Sequence, residues 1–228
     1  KMRSTYCVSS IASSETAVVS VSHLSISFGQ EQILGDINLS LKKGAIHGII
    51  GRNGSGKTVL MKCILGFLRP QAGCVQVFGK IIGKDCDFAP HTGMLIETPG
   101  FLPNETGRNN LLWLAKLSKR ATANDVDMAI RMVGLDPGLR KTVSKYSLGM
   151  RQRLGIAQAI MEQPDLLILD EVMNGLDKEG VSDIRKLLLS FRIQGKTLLI
   201  SSHFAQDIDM LCDTVYEMEG GSIAKIRG

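Results

Sequence analysis

The chain has 228 residues, of which 44% are hydrophobic, so it is long enough for one sizeable domain with a buried core. Its formal net charge of +5 is a mild excess that is spread along the chain, and no basic patch is dense enough to indicate nucleic acid. No apolar run approaches the ~18 residues needed to span a bilayer, so work at a membrane would require a partner.

The five cysteines show no CxxC spacing: Cys7, Cys63, Cys74, Cys86 and Cys212. An odd, scattered set in a chain of this size predicts reduced thiols in a cytosolic protein. Residues 1–17 are rich in Ser and Thr and lack a continuous apolar segment. We therefore expect a flexible lead-in there and not a signal peptide.

Strand patterns dominate the first hundred residues. Near alternation of apolar residues predicts strands over 18–28 and 33–41, and the apolar run 45–50 is typical of a buried strand. A helix is predicted over 57–67. Two shorter strand candidates follow, in 74–80 and 93–97.

The middle of the chain, from residue 106 to about residue 161, has a helical pattern. Thr106 is the predicted N-cap of a first helix. The apolar residues of that helix are expected along one broad face: Leu111, Leu112, Leu114, Ala115 and Leu117. A second helix is predicted over 124–134, and a third has Ser147 as its N-cap.

Strands and helices alternate again after residue 165. The pattern predicts a strand over 166–169, a helix over 179–194, a strand over 197–201, a helix over 204–212 and a final hairpin at residues 220–221. This alternation predicts an α/β core, and the helical middle is interpreted as an inserted subdomain.

The sequence GRNGSGKT, residues 51–58, fits the pattern G-x-x-x-x-G-K-[ST] in every fixed position: Gly51, Gly56, Lys57 and Thr58. Glycines let backbone N–H groups turn toward an anion, and the helix that follows points its positive end at the same place. Lys57 is expected to reach phosphate oxygens and Thr58 to ligate Mg²⁺. A Gly-rich turn without a ligand is the alternative, which the strand before and the helix after disfavour.

Two further elements support a nucleotide site. The apolar strand 166–169 delivers Asp170 and Glu171 at its carboxyl end, where α/β sheets place ligands. Asp170 is predicted to hold Mg²⁺ and Glu171 to polarise the attacking water; an exposed acidic turn is the alternative. His203 follows another apolar strand, and a γ-phosphate contact is predicted for it.

The stretch YSLGMRQRLGIAQAIMEQPDLLILDEVMNGLD, residues 146–177, resembles the signature motif, Walker B motif and D-loop of the nucleotide-binding domain of ABC transporters. The resemblance implies an α/β P-loop NTPase fold with a RecA-like core, an N-terminal antiparallel β subdomain and an inserted α-helical subdomain. It covers residues 18–228, with the helical subdomain at about residues 100–160.

The resemblance also implies roles for individual residues. Phe28 matches the aromatic residue that stacks on adenine. Ser147 and Gly149 match the signature residues that touch the γ-phosphate bound by the opposite subunit, and Asp177 matches the D-loop aspartate. The Walker A positions implied to bind ATP with Mg²⁺ are Gly51, Asn53, Gly54, Ser55, Gly56, Lys57 and Thr58.

In this family two such domains pair head to tail around two ATP molecules. The resemblance therefore implies a second nucleotide-binding domain as partner, either a second copy or a sister ATPase. It also implies a separate transmembrane permease, so that the chain would lie on the cytoplasmic face of the membrane through that permease, with no direct insertion. The surface from residue 97 to residue 117 is the expected contact with the permease, with Pro99, Phe101, Leu102 and Trp113 as its apolar residues; for Trp113 a place in the subdomain core is the alternative.

The chain departs from the family pattern at three places. The signature reads YSLGM where LSGGQ is usual, and DEVMNGLD replaces DEPTNGLD. Glu97 stands where the Q-loop usually has glutamine. We expect its carboxylate still to ligate Mg²⁺, and its charge beside ATP to slow or retune hydrolysis.

Glu97 and the stretch IETPGFLPNETGRNNL resemble one branch, the ATPases of bacterial exporters that protect against bacitracin and lantibiotics. Two alternatives differ in class. A soluble ABC-type ATPase acting in translation or DNA repair would commonly carry two cassettes or a coiled-coil insert. A regulator that does not hydrolyse nucleotide would be expected to lack Glu171.

Overall fold

The computed structural model describes residues 17–202 and 205–228. Its helices are α1 (Lys57–Leu65), α2 (Gly107–Ser118), α3 (Ala123–Met132), α4 (Leu148–Ile160), α5 (Lys178–Ile193) and α6 (Ala205–Leu211). Its strands are β1 (Ala17–Phe28), β2 (Glu31–Lys42), β3 (Ile46–Ile50), β4 (Ala72–Val77), β5 (Lys80–Ile81), β6 (Thr92–Leu95), β7 (Leu166–Leu169), β8 (Thr197–Ser201), β9 (Thr214–Glu219) and β10 (Ser222–Arg227). The elements predicted from the sequence are present, with their ends shifted by a few residues.

The strands form two sheets. A four-stranded antiparallel sheet has the order β2-β1-β4-β5, and a six-stranded sheet has the order β10-β9-β3-β8-β7-β6. In the larger sheet β9, β3, β8, β7 and β6 run parallel, while β10 pairs antiparallel with β9. The α/β class is therefore confirmed, and so are the antiparallel sheet near the N-terminus and the run of helices between β6 and β7.

The central strands β3, β8 and β7 of the larger sheet are buried on both faces, which explains why they read as nearly continuous apolar runs. In β7, Leu167 and Leu169 belong to the core on the side of α2–α6, while Leu166 and Ile168 belong to the core shared with α1 and the antiparallel sheet. Because both cores are fixed by the same strands, the carboxyl ends of β3, β7 and β8 hold a constant position relative to one another.

The helices α2, α3 and α4 pack on one another, and α4 also packs on β6. One prediction for α2 was wrong: Leu117 is exposed, and the polar Asn110 takes a place on the buried face beside Leu111 and Ala115. The Asn110 side chain accepts a hydrogen bond from the Leu102 amide at 2.7 Å and donates to the carbonyls of Leu102 and Thr106. It thereby ties the segment before α2 to the helix.

The cysteines also required a correction. Cys74 forms a disulfide, whereas Cys63, Cys86 and Cys212 are free thiols, so the expectation of reduced thiols fails for Cys74. Burial raises the pKa of Cys63 to about 11, which keeps that thiol neutral at physiological pH. Within residues 17–202 and 205–228, no helix is long and apolar enough to cross a membrane.

We predict that Asn110→Ala lowers the free energy of unfolding by about 1–3 kcal/mol, because it removes the buried Asn110 side chain that accepts from the Leu102 amide. The neighbouring Asn109→Ala is the matched control. The Asn109 side chain is exposed and donates to the Glu105 carboxylate at the surface, so we expect a change within about 0.5 kcal/mol. Urea unfolding of both variants measures the difference; equal stabilities would contradict the role of Asn110.

Candidate functional site

The loop 51–56 lies at the carboxyl end of β3 and leads directly into α1. Gly56 occupies the N-cap position in the left-handed region, with φ of 100°, and no side chain caps the helix. The first N–H groups of α1 therefore have no side-chain acceptor and point into the loop. Together with the helix dipole they favour an anion at this place.

Two glycines of the loop are required by close contacts. A Cβ on Gly51, whose φ is 148°, would lie 2.3 Å from the carbonyl oxygen of Met218. A Cβ on Gly56 would lie 2.6 Å from the Leu34 side chain. The loop is thus pressed against β9 on one side and β2 on the other, and any side chain at either position would displace it.

Lys57 lies across the loop with only 6% of its surface exposed. Its ammonium group donates to the carbonyls of Gly51 at 2.6 Å and Arg52 at 3.0 Å, which uses two of its three protons. The hydroxyl of Ser55 is buried without a hydrogen-bond partner in the described part of the chain. A buried donor with no partner is costly, so the loop fits a ligand with several acceptor oxygens, such as a polyphosphate.

Asn53 and Gly54, at the tip of the loop, are exposed. They border an open cleft of about 810 Å³ that extends along the loop toward β9 and β10. The cleft leaves a path for a ligand to reach the loop.

Thr58 and Asp170 are brought into direct contact. The Thr58 hydroxyl donates to the Asp170 carboxylate at 2.6 Å, and the buried hydroxyl of Ser201 donates to the other oxygen of that carboxylate. Among the residues that the structure describes, no three His, Cys, Asp or Glu side chains cluster as a metal site. A hydroxyl beside one carboxylate suits Mg²⁺, which keeps several waters and takes further oxygens from phosphates.

Glu171 follows Asp170 in a left-handed conformation, with φ of 49°. Ser201 accepts a hydrogen bond from the Glu171 amide at 2.9 Å, and the Gln152 side chain donates to the Glu171 carbonyl at 3.2 Å. The Asn174 amide group donates to the Glu171 carboxylate. These contacts fix the main chain and the side chain of Glu171 next to the Thr58–Asp170 pair.

Glu97 is engaged elsewhere. It follows β6 with φ of 58°, and its carboxylate lies 2.6 Å from the ammonium nitrogen of Lys62 in α1. Lys62 is one helical turn beyond Thr58, so the ion pair joins the segment after β6 to α1, the helix that follows the loop 51–56. The structure does not pair Glu97 with Asp170; its predicted metal role stays a prediction.

Ser147 is the N-cap of α4, as predicted, and its hydroxyl accepts a hydrogen bond from the Met150 amide at 3.2 Å. Leu148, in the place of the usual glycine, is exposed and packs against Gly175, where a Cβ would lie 2.5 Å from the Leu148 side chain. A Cβ on Gly149 would lie 2.9 Å from the Gly175 carbonyl. The signature loop and the D-loop therefore form one surface.

Asp177 closes that surface as the N-cap of α5, accepting from the Gly180 amide at 2.8 Å. Phe28 ends β1, half exposed, on the hairpin whose second strand contacts Gly56 through Leu34. His203 lies outside the described residues.

Four residues at the site were not assigned a role from the sequence. Ser201 and Lys62 sit in an ordinary strand and an ordinary helix, and nothing in their local pattern marks them. Gln152 and Asn174 lie within the stretch that resembles the family motifs. Their closeness in sequence to Ser147 and Glu171 could have indicated that they contact the site.

Comparison with known proteins supports the geometry. The sequence model of the ABC transporter family matches residues 34–174. The chain is 42% identical to the bacitracin transport ATP-binding protein BcrA of Enterococcus faecalis, over 91% of the chain and 68% of that protein. It is 32% identical to the lantibiotic transport ATP-binding protein SrtF of Streptococcus pyogenes, over 90% of the chain and 89% of that protein.

Solved structures of ABC transporter cassettes have the same fold as this chain. A nucleotide-free ATP-binding cassette from an ABC transporter superposes with a TM-score of 0.80 at 25% identity, covering 93% of this chain and 92% of that one. The predicted cassette fold is therefore confirmed, as is the resemblance to the bacitracin and lantibiotic branch.

We predict that Lys57→Ala weakens nucleotide binding by about 10-fold to 100-fold, because a hydrogen bond to a charged group contributes roughly 1.5–3 kcal/mol. Lys43→Ala, in the exposed turn before β3, is the matched control and should bind as the parent does. Titration with a fluorescent ATP analogue measures both. Unchanged affinity in Lys57→Ala would contradict the assignment of the loop as a phosphate site.

Proposed function

This chain belongs to the ABC transporter family, whose cassettes bind and hydrolyse ATP, and we propose that it dimerises around two ATP molecules and drives a separate membrane permease. The observation that carries the proposal is the contact between Thr58 and Asp170, next to the Lys57 loop and Glu171. It brings together, at one edge of the sheet, the residues that we propose as phosphate cradle, metal-binding pair and carboxylate base.

Each group has a distinct task in the proposed reaction. The loop N–H groups and Lys57 hold the phosphates of ATP. Thr58 and Asp170 would hold Mg²⁺, which neutralises charge on the β- and γ-phosphates when bound. Glu171 accepts a proton from the water that attacks the γ-phosphate, and we propose that His203 contacts that phosphate.

The donors of the signature loop point to a two-chain site. Ser147 and Gly149 lie at the N-terminus of α4, which favours an anion as the start of α1 does. One chain offers these two helix N-termini on different elements, and we propose that Ser147 of one copy faces the nucleotide held by Lys57 of the other. Fixed donors around the reacting phosphate contribute roughly 3 kcal/mol each to lowering the barrier. Closure of the pair would therefore switch hydrolysis on.

The proposed permease contact lies on the segment between β6 and α2 and on α2 itself. Leu102 and Trp113 are each 54% exposed, so the alternative place of Trp113 in the subdomain core is not what the structure shows. The Lys116 ammonium lies 5.0 Å from the centre of the Trp113 ring. Phe101, in contrast, packs partly on the core. Exposed apolar side chains next to Glu97 support a surface that a partner covers.

The cargo class is proposed from the relatives. Proteins named for bacitracin transport and for lantibiotic transport match nine-tenths of the chain. We propose accordingly that the permease exports antimicrobial peptides or drugs in self-protection, with the chain on the cytoplasmic face of the membrane.

We predict that Glu171→Gln keeps nucleotide affinity and lowers the turnover rate by at least about 100-fold, since an amide cannot accept the proton. Glu162→Gln, at the opposite edge of the sheet, is the matched control and should turn over at the parental rate. Phosphate release and ATP-analogue titration give the two quantities. A parental rate in Glu171→Gln would refute the assigned base.

We further predict that a polytopic membrane protein co-purifies from membranes of the source cells when the chain is used as bait. The variant with Leu102→Ser and Trp113→Ser should lose this protein while keeping its own ATP hydrolysis, because both side chains are exposed. Recovery of ribosomes or nucleic acid in its place would favour the soluble ABC-type ATPase instead.

A further inference from the structure

Gln152 lies in the second turn of α4 and contacts the turn that carries Glu171. Its side-chain nitrogen Nε2 donates to the carbonyl of Glu171 at 3.2 Å and to the carbonyl of Val172 at 3.0 Å. Both partners are acceptors, so only the NH₂ end of the amide group satisfies them. Gln152 therefore uses both of its protons on two successive main-chain carbonyls.

The turn that Gln152 holds is strained. Glu171 has φ of 49°, a left-handed conformation that is unfavourable for a residue with a side chain. Such a conformation persists when the surroundings hold it from several sides. Ser201 holds the Glu171 amide and Gln152 holds its carbonyl, so the peptide groups on both sides of the carboxylate-bearing carbon are fixed.

We infer that Gln152 is a positioning residue for ATP hydrolysis: from the signature helix it fixes the Glu171 main chain, and thereby aims the Glu171 carboxylate at the attacking water. The inference rests on the proposed role of Glu171 as the base. It adds a physical connection between two motifs that act on different nucleotides, because α4 begins at Ser147, which we propose faces the ATP of the partner copy.

The rotation of a peptide group explains how a remote amide acts on a carboxylate. Without the Gln152 donor, the Val172 carbonyl loses its hydrogen bond to α4, and the Glu171 carbonyl keeps only the bond from the Asn174 amide at 3.0 Å. The strained φ then relaxes, and the Glu171 side chain swings with its own Cα–Cβ bond. A displacement of about 1 Å at a reacting group is enough to lower a rate roughly 100-fold. In the proposed site ATP is held by Lys57 and Thr58, whereas Gln152 bonds the carbonyls of Glu171 and Val172, so nucleotide affinity is expected to stay the same.

The test compares three variants of the full chain. Gln152→Met keeps the length and helix propensity of the side chain but cannot donate a hydrogen bond. Gln152→Lys keeps a donor that reaches the same carbonyls. Gln158→Met, on the same helix and not bonded to this turn, is the matched control for the chemical change. Thermal unfolding checks that all three remain folded.

We predict that Gln152→Met lowers kcat about 10-fold to 100-fold, with the Kd of a fluorescent ATP analogue unchanged within about 2-fold. Gln152→Lys should recover most of the parental kcat, and Gln158→Met should retain it. Equal losses in Gln152→Met and Gln152→Lys would overturn the inference, since the hydrogen-bond donor would then not be the cause. So would a parental kcat in Gln152→Met, or a loss of affinity in place of rate.

The Glu171→Gln background separates this inference from the function on which it rests. If Gln152 acts only through Glu171, adding Gln152→Met to Glu171→Gln leaves the residual rate unchanged. If the double variant instead loses rate by the factor that Gln152→Met causes in the parent, the inference is overturned. A parental rate in Glu171→Gln alone refutes the proposed base. An inactive Glu171→Gln together with a parental Gln152→Met refutes the positioning role and leaves the base in place.

Discussion

The carboxylate of Asp170 is the point on which the site depends. It is only 9% exposed, and a buried carboxylate is costly unless hydrogen-bond donors surround it. Thr58, in α1 after β3, and Ser201, the last residue of β8, each donate a hydroxyl to it. The carboxyl ends of strands β3, β7 and β8 are consequently held together around the Asp170 carboxylate. The same carboxylate also fixes the start of α1 and the phosphate loop before it.

Two residues with a left-handed backbone conformation lie at the same edge of the sheet. Glu97, after β6, and Glu171, after β7, both have positive φ, although neither is a glycine. Each is restrained by a side chain from a helix, Lys62 of α1 for the first and Gln152 of α4 for the second. Each of the two acidic residues proposed to act on nucleotide is thus held in part by a helix outside its own loop, and Glu171 is also held by Asn174 of its own turn.

The sequence predicts those parts of the structure that interactions between residues close in the chain determine. Alternating or continuous apolar runs predicted the strands, and Thr106 and Ser147 marked helix starts because an N-cap bond joins residues three apart. The contacts of Ser201 and Lys62 could not be predicted in this way. Their partners lie 31 and 35 residues away, and only the strand order of the sheet brings them near. Asn110 escaped prediction for a related reason, since a polar residue on an apolar face is favourable only where the facing backbone supplies acceptors and a donor.

The departures from the family pattern acquire a physical meaning when they are placed in the structure. Val172 and Met173 stand where proline and threonine are usual, so the turn lacks the ring that fixes φ at a proline. Both side chains are buried, and the Val172 carbonyl accepts from Gln152. Packing and a hydrogen bond from α4 therefore supply the restraint that a proline ring would give through its fixed φ. The difference matters for function, because a proline restrains the turn by its own ring, whereas part of the restraint on this turn comes from α4 through Gln152.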